Sequence, residues 1–311
     1  MKMENNRPAI NTKLYDCVKV NASILEQAKR IYRAIRRELY YNLMLYPFAS
    51  KKHRQLVNSA QKSQSHLYTS FYRSPGQMSA LIGPVLEFIL ENRKTRPTDK
   101  LQINVLAGSD GSEAYTIASV LCNLCPNLDF HIHCSDLHEQ TVTKSQSAIY
   151  SKEEVFNSNT PEKFISDTFD RINSNFTVKP HIKEKVTFFK ADITHNLTGL
   201  YPKADIVFMQ NVLFHLDTQS ATNAFMNALE ISKPRCVFFL DGTPINLKIK
   251  LTEKSNLSPL NHKIKAIHEY ARLHVAINWW DYYYGVEPYL FFKRDKKRRY
   301  STIFFRQDNS K

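Results

Sequence analysis

The stretch LQINVLAGSDGSEAYTIASVL, residues 101–121, decides the fold of this chain. Aliphatic side chains dominate its first six positions, as in a strand buried on both faces, and apolar residues then recur with helical spacing from Tyr115 to Leu121. The loop between them holds Gly108 and Gly111, two of only seven glycines in 311 residues. Because glycine lets a backbone turn tightly or approach a ligand, we interpret the stretch as a strand, a ligand-binding loop and a helix.

Polar residues follow three later segments that have the composition of strands. Asp136 ends HIHCSD, Asp192 follows VTFFKA, and Asn211 follows ADIVFMQ. Ligands of open α/β sheets bind outside the carboxyl ends of the strands, and an acidic residue about 20 residues beyond the glycine loop binds the ribose hydroxyls. The sequence therefore predicts that these three side chains converge on one cleft, with Asp136 at a ribose.

The same segments, with TSFYR from Thr69 to Arg73, resemble motifs of the chemotaxis-receptor glutamate methyltransferases, the CheR family, which use S-adenosylmethionine. TSFYR is similar to the family motif T-x-F-F-R. The family loop A-x-S-T-G-E-E-P-Y-S-I-A is matched between Ala107 and Ala118. The family runs S-D-I-D, S-G-I-Y and F-D-A-I-F-C-R-N-V-M-I-Y-F-D resemble SDLH, SAIY and ADIVFMQNVLFHLD at residues 135–138, 147–150 and 204–217.

The resemblance implies an α/β fold with the Rossmann-like sheet of class I methyltransferases over residues 96–311, preceded by a helical domain over residues 1–95. It also implies a small β subdomain inserted at residues 151–186, although the residues there fit an ordinary loop with one helix equally well. Near the carboxyl terminus, EPYLFFKRD and RRYSTIFFR predict a hairpin with KRDKKRR, residues 293–299, as its exposed turn.

The resemblance also implies the residues that bind S-adenosylmethionine and the product S-adenosylhomocysteine. It places Asp136 at the ribose, although Asp136 and Asp192 could instead be turn or capping residues. The residues carried over to the cofactor are Thr69, Arg73, Ala107, Gly108, Glu113, Asp136, Asp192, Ile193, Gln210 and Asn211. Two residues are candidates for catalysis: Arg73, whose fork of donors can hold a carboxylate or brace a hinge, and His215.

Four departures from the family pattern bear on the substrate. Gln210 stands where the family has an arginine, and His215 where it has a tyrosine near the transferred methyl group. Leu67 and Asp192 each stand where the family has an asparagine. A cation expected beside the cofactor is therefore missing. These replacements are compatible with a cofactor site and put the substrate in question.

Three hypotheses about activity follow. A glutamate methyltransferase needs no general base, because a carboxylate is already ionised at neutral pH. A small-molecule O- or N-methyltransferase would need a base, and the ordinary pKa of histidine suits His215 to that role. The third hypothesis is a module that binds S-adenosylmethionine without catalysis.

The formal net charge of +14 predicts an anionic partner or a solvated basic surface. From Ser23 the spacing of apolar residues predicts an amphipathic helix whose other face carries arginines. The resemblance implies that such a basic helical domain meets acidic protein substrates, in particular chemoreceptor helices. A nucleic-acid partner is not expected, since the Pro-Pro-aromatic signature of amino-methylating enzymes is absent from QNVLF, and no pattern indicates an oligomeric state.

Composition argues for a cytoplasmic globular protein without membrane insertion. No apolar run approaches the roughly 18 residues that span a bilayer, and MKMENNRPAI lacks the apolar core of a secretion signal. The five cysteines argue against a disulfide scaffold. Cys122 and Cys125, followed by His131 and His133, have the spacing of metal ligands, but their positions favour buried residues, so no metal is expected.

Overall fold

The computed structural model describes the following parts of the chain: residues 69–91, 100–156, 160–273 and 289–307, with Tyr32, Ile35 and Leu39. These three isolated residues have helical backbone. The rest of the helix predicted from Ser23 lies outside the described residues, as does Leu67. The division into a helical domain of residues 1–95 and a second domain of residues 96–311 stays a prediction.

A seven-stranded sheet forms the centre of the described part, in the order β6-β2-β1-β7-β8-β10-β9. The first five strands in this order are parallel, and β10 is antiparallel to β8 and β9. The predicted α/β fold with a mostly parallel sheet is therefore confirmed. The strands are β1 Leu101–Leu106, β2 Phe130–Asp136, β6 Val186–Lys190, β7 Ala204–Phe208, β8 Ser232–Phe239, β9 Ser258–Pro259 and β10 Ile303–Arg306.

Helices and turns cover both faces of this sheet. Alternate side chains of one strand enter different cores: Ile206 of β7 packs in one and Val207 in the other. None of the described helices has the length and apolar character needed to cross a membrane. The helices are α1 Pro75–Ala80, α2 Leu86–Glu91, α3 Ser112–Leu124, α4 Glu139–Ser147, α5 Lys152–Val155, α6 Glu162–Thr168, α7 Pro180–Lys183, α8 Thr218–Glu230, α9 Ile245–Lys254, α10 Ile264–Leu273 and α11 Lys296–Tyr300.

The strand order places a cleft at the middle of the sheet. From β1 the chain continues to β2 on one side, whereas β7 pairs with the other side of β1. Loops that leave β1 and β7 at their carboxyl ends therefore diverge, and such a switch point is where open α/β sheets bind ligands.

Residues that lie between β2 and β6 in the sequence form a second sheet. It is antiparallel, in the order β3-β5-β4, with β3 Ile149–Tyr150, β4 Phe169–Ile172 and β5 Asn175–Val178. Phe71 of the TSFYR segment packs edge-on against Tyr150 and Phe169, with ring centroids 4.8 and 4.9 Å away. This packing fixes the segment that leads to Arg73.

The predicted carboxyl-terminal hairpin is wrong. KRDKKRR does not join two paired strands but makes a short turn and continues into α11, in which Arg299 binds the carboxylate of Asp295 one turn earlier at 2.9 Å. The following strand, β10, pairs with β8 and β9 rather than with the preceding residues. Of the predicted strand RRYSTIFFR only Ile303–Arg306 is a strand, and the sequence pattern could not identify its partners.

Candidate functional site

A cavity of about 200 Å³ opens at the carboxyl ends of β1, β2, β6 and β7. All eleven residues that the sequence assigned to the cofactor or to catalysis line it: Thr69, Arg73, Ala107, Gly108, Glu113, Asp136, Asp192, Ile193, Gln210, Asn211 and His215. They come from five regions of the chain that are separate in sequence. What each binds stays a prediction; their convergence is a fact of the fold.

The loop after β1 forms the inner wall of the cavity. Ala107, Ser109 and Gly111 all have positive φ angles, of 59°, 52° and 87°. Such left-handed residues are costly for alanine and serine and typify functional loops. Gly108 cannot carry a side chain, because a Cβ there would lie 2.2 Å from the Sγ atom of Cys134. The absence of a side chain at Gly108 thus lets the loop pack closely on β2.

Asp136, at the end of β2, joins two loops of the site. One carboxylate oxygen accepts the backbone N–H of Ser109 at 2.9 Å, and the other accepts from the N–H of His138 and the hydroxyl of Thr141. The side chain is therefore a turn residue that also lines the cavity, and its role at the ribose stays a prediction. Because each oxygen has two lone pairs, the carboxylate can still accept from a ligand.

Arg73 links three regions of the site. Its Nη2 atom lies 3.3 Å from Glu113 Oε1 at the start of α3 and 3.3 Å from Gln210 Oε1 after β7. Burial raises the pKa of Glu113 to about 7, while Arg73 opposes this shift and Asp241 adds to it. The buried Nε2 atom of Gln210 has no hydrogen-bond partner in the part of the chain that the structure describes. Gln210 thus offers a donor to a ligand.

His215 lies in a short turn, Leu213–His215, after β7. Its ring packs on Phe214 with centroids 3.9 Å apart, and burial lowers its pKa to about 4. The imidazole is therefore neutral at neutral pH. A general base works best with a pKa near the working pH, so this environment does not favour His215 as a base.

Asp192 and Asn211 sit in the turns that follow β6 and β7. Asp192 accepts from the backbone N–H and hydroxyl of Thr194 at 2.9 and 2.7 Å. Burial raises its pKa, but the hydrogen bonds from Thr194 and the nearby His195 outweigh this and lower it overall. Asn211 has a φ of 52° and donates its N–H to the carbonyl of Asp241. Both residues shape the rim and face the cavity.

The sequence analysis missed seven residues that also line the cavity, among them Ser109, Leu137, His138 and Thr194. Most are chain neighbours of predicted residues, and Ser109, Leu137 and His138 also lie within the family motifs that the sequence resembles. Leu137 is half exposed, which is unusual for a leucine beside a buried strand. Such an exposed apolar group at a cavity rim suits contact with a flat ligand.

The cysteine and histidine residues with metal-ligand spacing make other contacts in the structure. The Cys122 thiol lies against the His181 carbonyl, Cys125 is buried, and His131 and His133 bond Thr187 and Gln102. Within the described ranges there is no group of three or more His, Cys, Asp or Glu side chains that could hold a metal ion.

Comparison with known proteins places this geometry in a family. The family model described as "CheR methyltransferase, SAM binding domain" matches residues 68–257, more than half of the chain. A probable chemotaxis protein methyltransferase of Rhizobium etli is 25% identical over 189 residues, which cover 57% of this chain and 66% of the relative. The chemotaxis protein methyltransferase of Borreliella burgdorferi is 24% identical over 178 residues, or 54% and 60% of the two chains.

The chain spans less than two thirds of the length of these relatives. Among solved structures, magnesium protoporphyrin IX methyltransferase of Synechocystis PCC 6803 with bound S-adenosylmethionine is 13% identical and covers 72% of this chain and 88% of its own, with a TM-score of 0.34. That similarity is too low to bear on function. The matched range includes every residue that lines the cavity, and this chain belongs to the CheR methyltransferase family, whose S-adenosylmethionine-binding domain it carries.

Proposed function

We propose that this protein transfers the methyl group of S-adenosylmethionine to glutamate carboxylates of an acidic protein, and that its partners are chemoreceptor helices in the cytoplasm. Family membership and the names of the two relatives support this proposal. The observation that carries it is the convergence of eleven motif residues on one cavity at the switch point of the sheet.

The cavity residues fit the cofactor. Ala107 and Gly108 line the cavity, and Gln210 Nε2 is a buried donor without a partner among the described residues. We assign Asp136 to the ribose hydroxyls. Arg73 and Gln210 would hold a carboxylate, and Glu113 would hold a cationic amino group. When bound, the cofactor supplies a methyl group already activated on a sulfonium.

The chemistry of the acceptor follows from what the cavity lacks. A neutral hydroxyl or amine must lose a proton during transfer, whereas a carboxylate does not. The histidine that could accept that proton, His215, has a pKa of about 4 and is a poor base at neutral pH. The glutamate acceptor is therefore favoured over a small-molecule alcohol or amine. We assign His215 to the wall that orients the acceptor, and Arg73 to the cation that compensates carboxylate charge.

The test is transfer of radiolabelled methyl groups to acidic proteins, starting with the cytoplasmic helices of chemoreceptors. A base-labile methyl ester on glutamate is expected, and its loss in an Arg73→Met variant would support the role of the guanidinium. Absence of ester on every acidic protein tried, despite cofactor binding, would contradict the proposed acceptor. Turnover with any acceptor would exclude a purely binding module.

A further inference from the structure

The cavity is negative in a protein that is strongly positive. The chain carries a formal net charge of +14, yet Glu113, Asp136 and Asp192 line the cavity, and Arg73 is the one lysine or arginine among its described lining residues. Burial raises the pKa of Glu113 to about 7, so this carboxyl is only partly ionised at neutral pH and most of the negative charge comes from Asp136 and Asp192. His215 adds no charge at neutral pH, because burial lowers its pKa to about 4. Attraction of anions to the outer surface therefore does not extend into the cavity.

The surroundings of Glu113 show how weakly this negative charge is compensated. The charged and titratable groups that face it are Arg73, Asp241 after β8 and Cys134 on β2. Arg73 is shared with Gln210, while Asp241 is a second anion, and burial keeps the Cys134 thiol protonated by raising its pKa. Without a ligand the carboxyl of Glu113 is therefore only partly ionised, and a bound cation would favour its charged form.

Gln210 is the neutral residue beside Arg73 and Glu113 in this cavity. It is 4% exposed, its Oε1 atom accepts from Arg73, and its Nε2 atom faces no described partner. An amide holds Arg73 in position as an acceptor and adds no charge. An arginine at this position would instead bring a second guanidinium against Glu113 and neutralise the cavity.

We propose that this cavity selects its ligand by charge, binding S-adenosylmethionine more tightly than S-adenosylhomocysteine, and that Gln210 is the residue that sets this selectivity. The inference rests on the proposed function. The two compounds share their adenosine, carboxylate and ammonium groups, and the methylated sulfonium carries one extra positive charge. In a partly desolvated cavity that charge interacts with the surplus carboxylates much more strongly than in water. Loss of the charge on methyl transfer would also favour product release.

The experiment is calorimetric titration of the full chain with each compound, at low and high salt. The wild type should bind S-adenosylmethionine on the order of tenfold more tightly. A Gln210→Arg variant should lose this ratio, and a Gln210→Glu variant should increase it. In the matched Gln210→Leu variant, which removes the donor without changing charge, both affinities should fall and the ratio should stay.

The outcomes separate this inference from the proposed function. Binding of neither compound by the wild type would overturn the proposed function and the inference with it. Equal affinities in the wild type, or equal ratios in the arginine, leucine and glutamate variants, would overturn only the inference. Opposite shifts of the ratio in the arginine and glutamate variants would support it, since misfolding cannot change the ratio in both directions.

Discussion

Two cavities lie at opposite ends of the strands of the sheet, and their charged groups have different roles. The larger, of about 570 Å³, lies at the amino ends of β7 and β8 and is lined by Lys203, Lys233, Lys254 and Arg306. The smaller, at the carboxyl ends, has a surplus of carboxylates. Volume alone would select the first as the functional site. The hydrogen-bond partners of the charged groups select the second.

Most of the cationic side chains that line the larger cavity stabilise the fold. Lys203 donates to the carbonyl of Glu230, and Arg306 donates to the carbonyl of Leu229 at 2.9 Å, so both serve the carboxyl end of α8. Lys233 pairs with the buried Asp205 at 2.9 Å. Cations at a helix carboxyl end satisfy its last carbonyls and its dipole. A concave cationic surface can thus be a set of helix caps rather than a binding site.

The largest expected effect is loss of cofactor binding in an Asp136→Ala variant. Removal of a carboxylate that bonds two loops and faces the cavity should weaken S-adenosylmethionine binding on the order of a hundredfold. Calorimetric titration measures this, with Lys254→Ala at the opposite edge as the matched control. If Lys254→Ala weakened binding as much, the claim that only the cavity at the carboxyl ends binds the cofactor would be contradicted.

The next effect concerns Gly108. A Gly108→Ala variant places a methyl group against Cys134, and overpacking of this kind costs about 1 to 3 kcal/mol of unfolding free energy. Denaturant unfolding measures the loss. A Cys134→Ala change should partly restore stability in the double variant, and purely additive losses would contradict the contact.

Arg306→Leu should be a stability variant only. It removes hydrogen bonds to the Leu229 carbonyl and the Ser232 hydroxyl, at 2.9 and 2.7 Å, and should cost about 1 to 2 kcal/mol of unfolding free energy. Denaturant unfolding and cofactor titration on the same sample give both values. A selective loss of cofactor affinity with unchanged stability would show that the amino edge takes part in binding.

Glu113 should make the stability of the ligand-free protein depend on pH. Its pKa in the folded state, about 7, lies above the ordinary 4.5, so the folded state binds the proton more tightly. This contribution is present below pH 4.5 and is lost as the pH rises through 7. The pH dependence of the unfolding free energy should disappear in the Glu113→Gln variant and persist in the exposed control Glu139→Gln. Thermal unfolding across this window measures it.

The smallest effect is expected for His215→Phe. A ring that only lines the cavity can be replaced by another ring, so methyl transfer should change by less than about tenfold, against the 10²–10⁴-fold typical of a lost general base. Methyl transfer rates across pH measure this. A larger loss, with the rate of the wild type following an ionisation, would restore the hypothesis of a small-molecule acceptor.

Much of the site was predictable because its residues follow strands. A strand that is buried on both faces has a distinct composition, and the residue after its last position lies at the carboxyl edge whatever the details of packing. Asp136, Asp192 and Asn211 were placed in this way. The fold class followed from the same alternation of strands and helices. The prediction of a carboxyl-terminal hairpin was wrong, because the residues of a short strand do not specify which strands it pairs with.

By itself, the sequence determined the α/β class, the family motifs and the eleven residues that meet at the cavity. Only the tertiary structure decided what each of them does to the others. Gly108 is constrained by Cys134, Arg73 is shared between Glu113 and Gln210, and the pKa of His215 falls. The physical reason is the distance along the chain over which the two kinds of interaction act. Strand and helix patterns arise from neighbours in the chain, whereas burial and ion pairing arise between residues that only folding brings together.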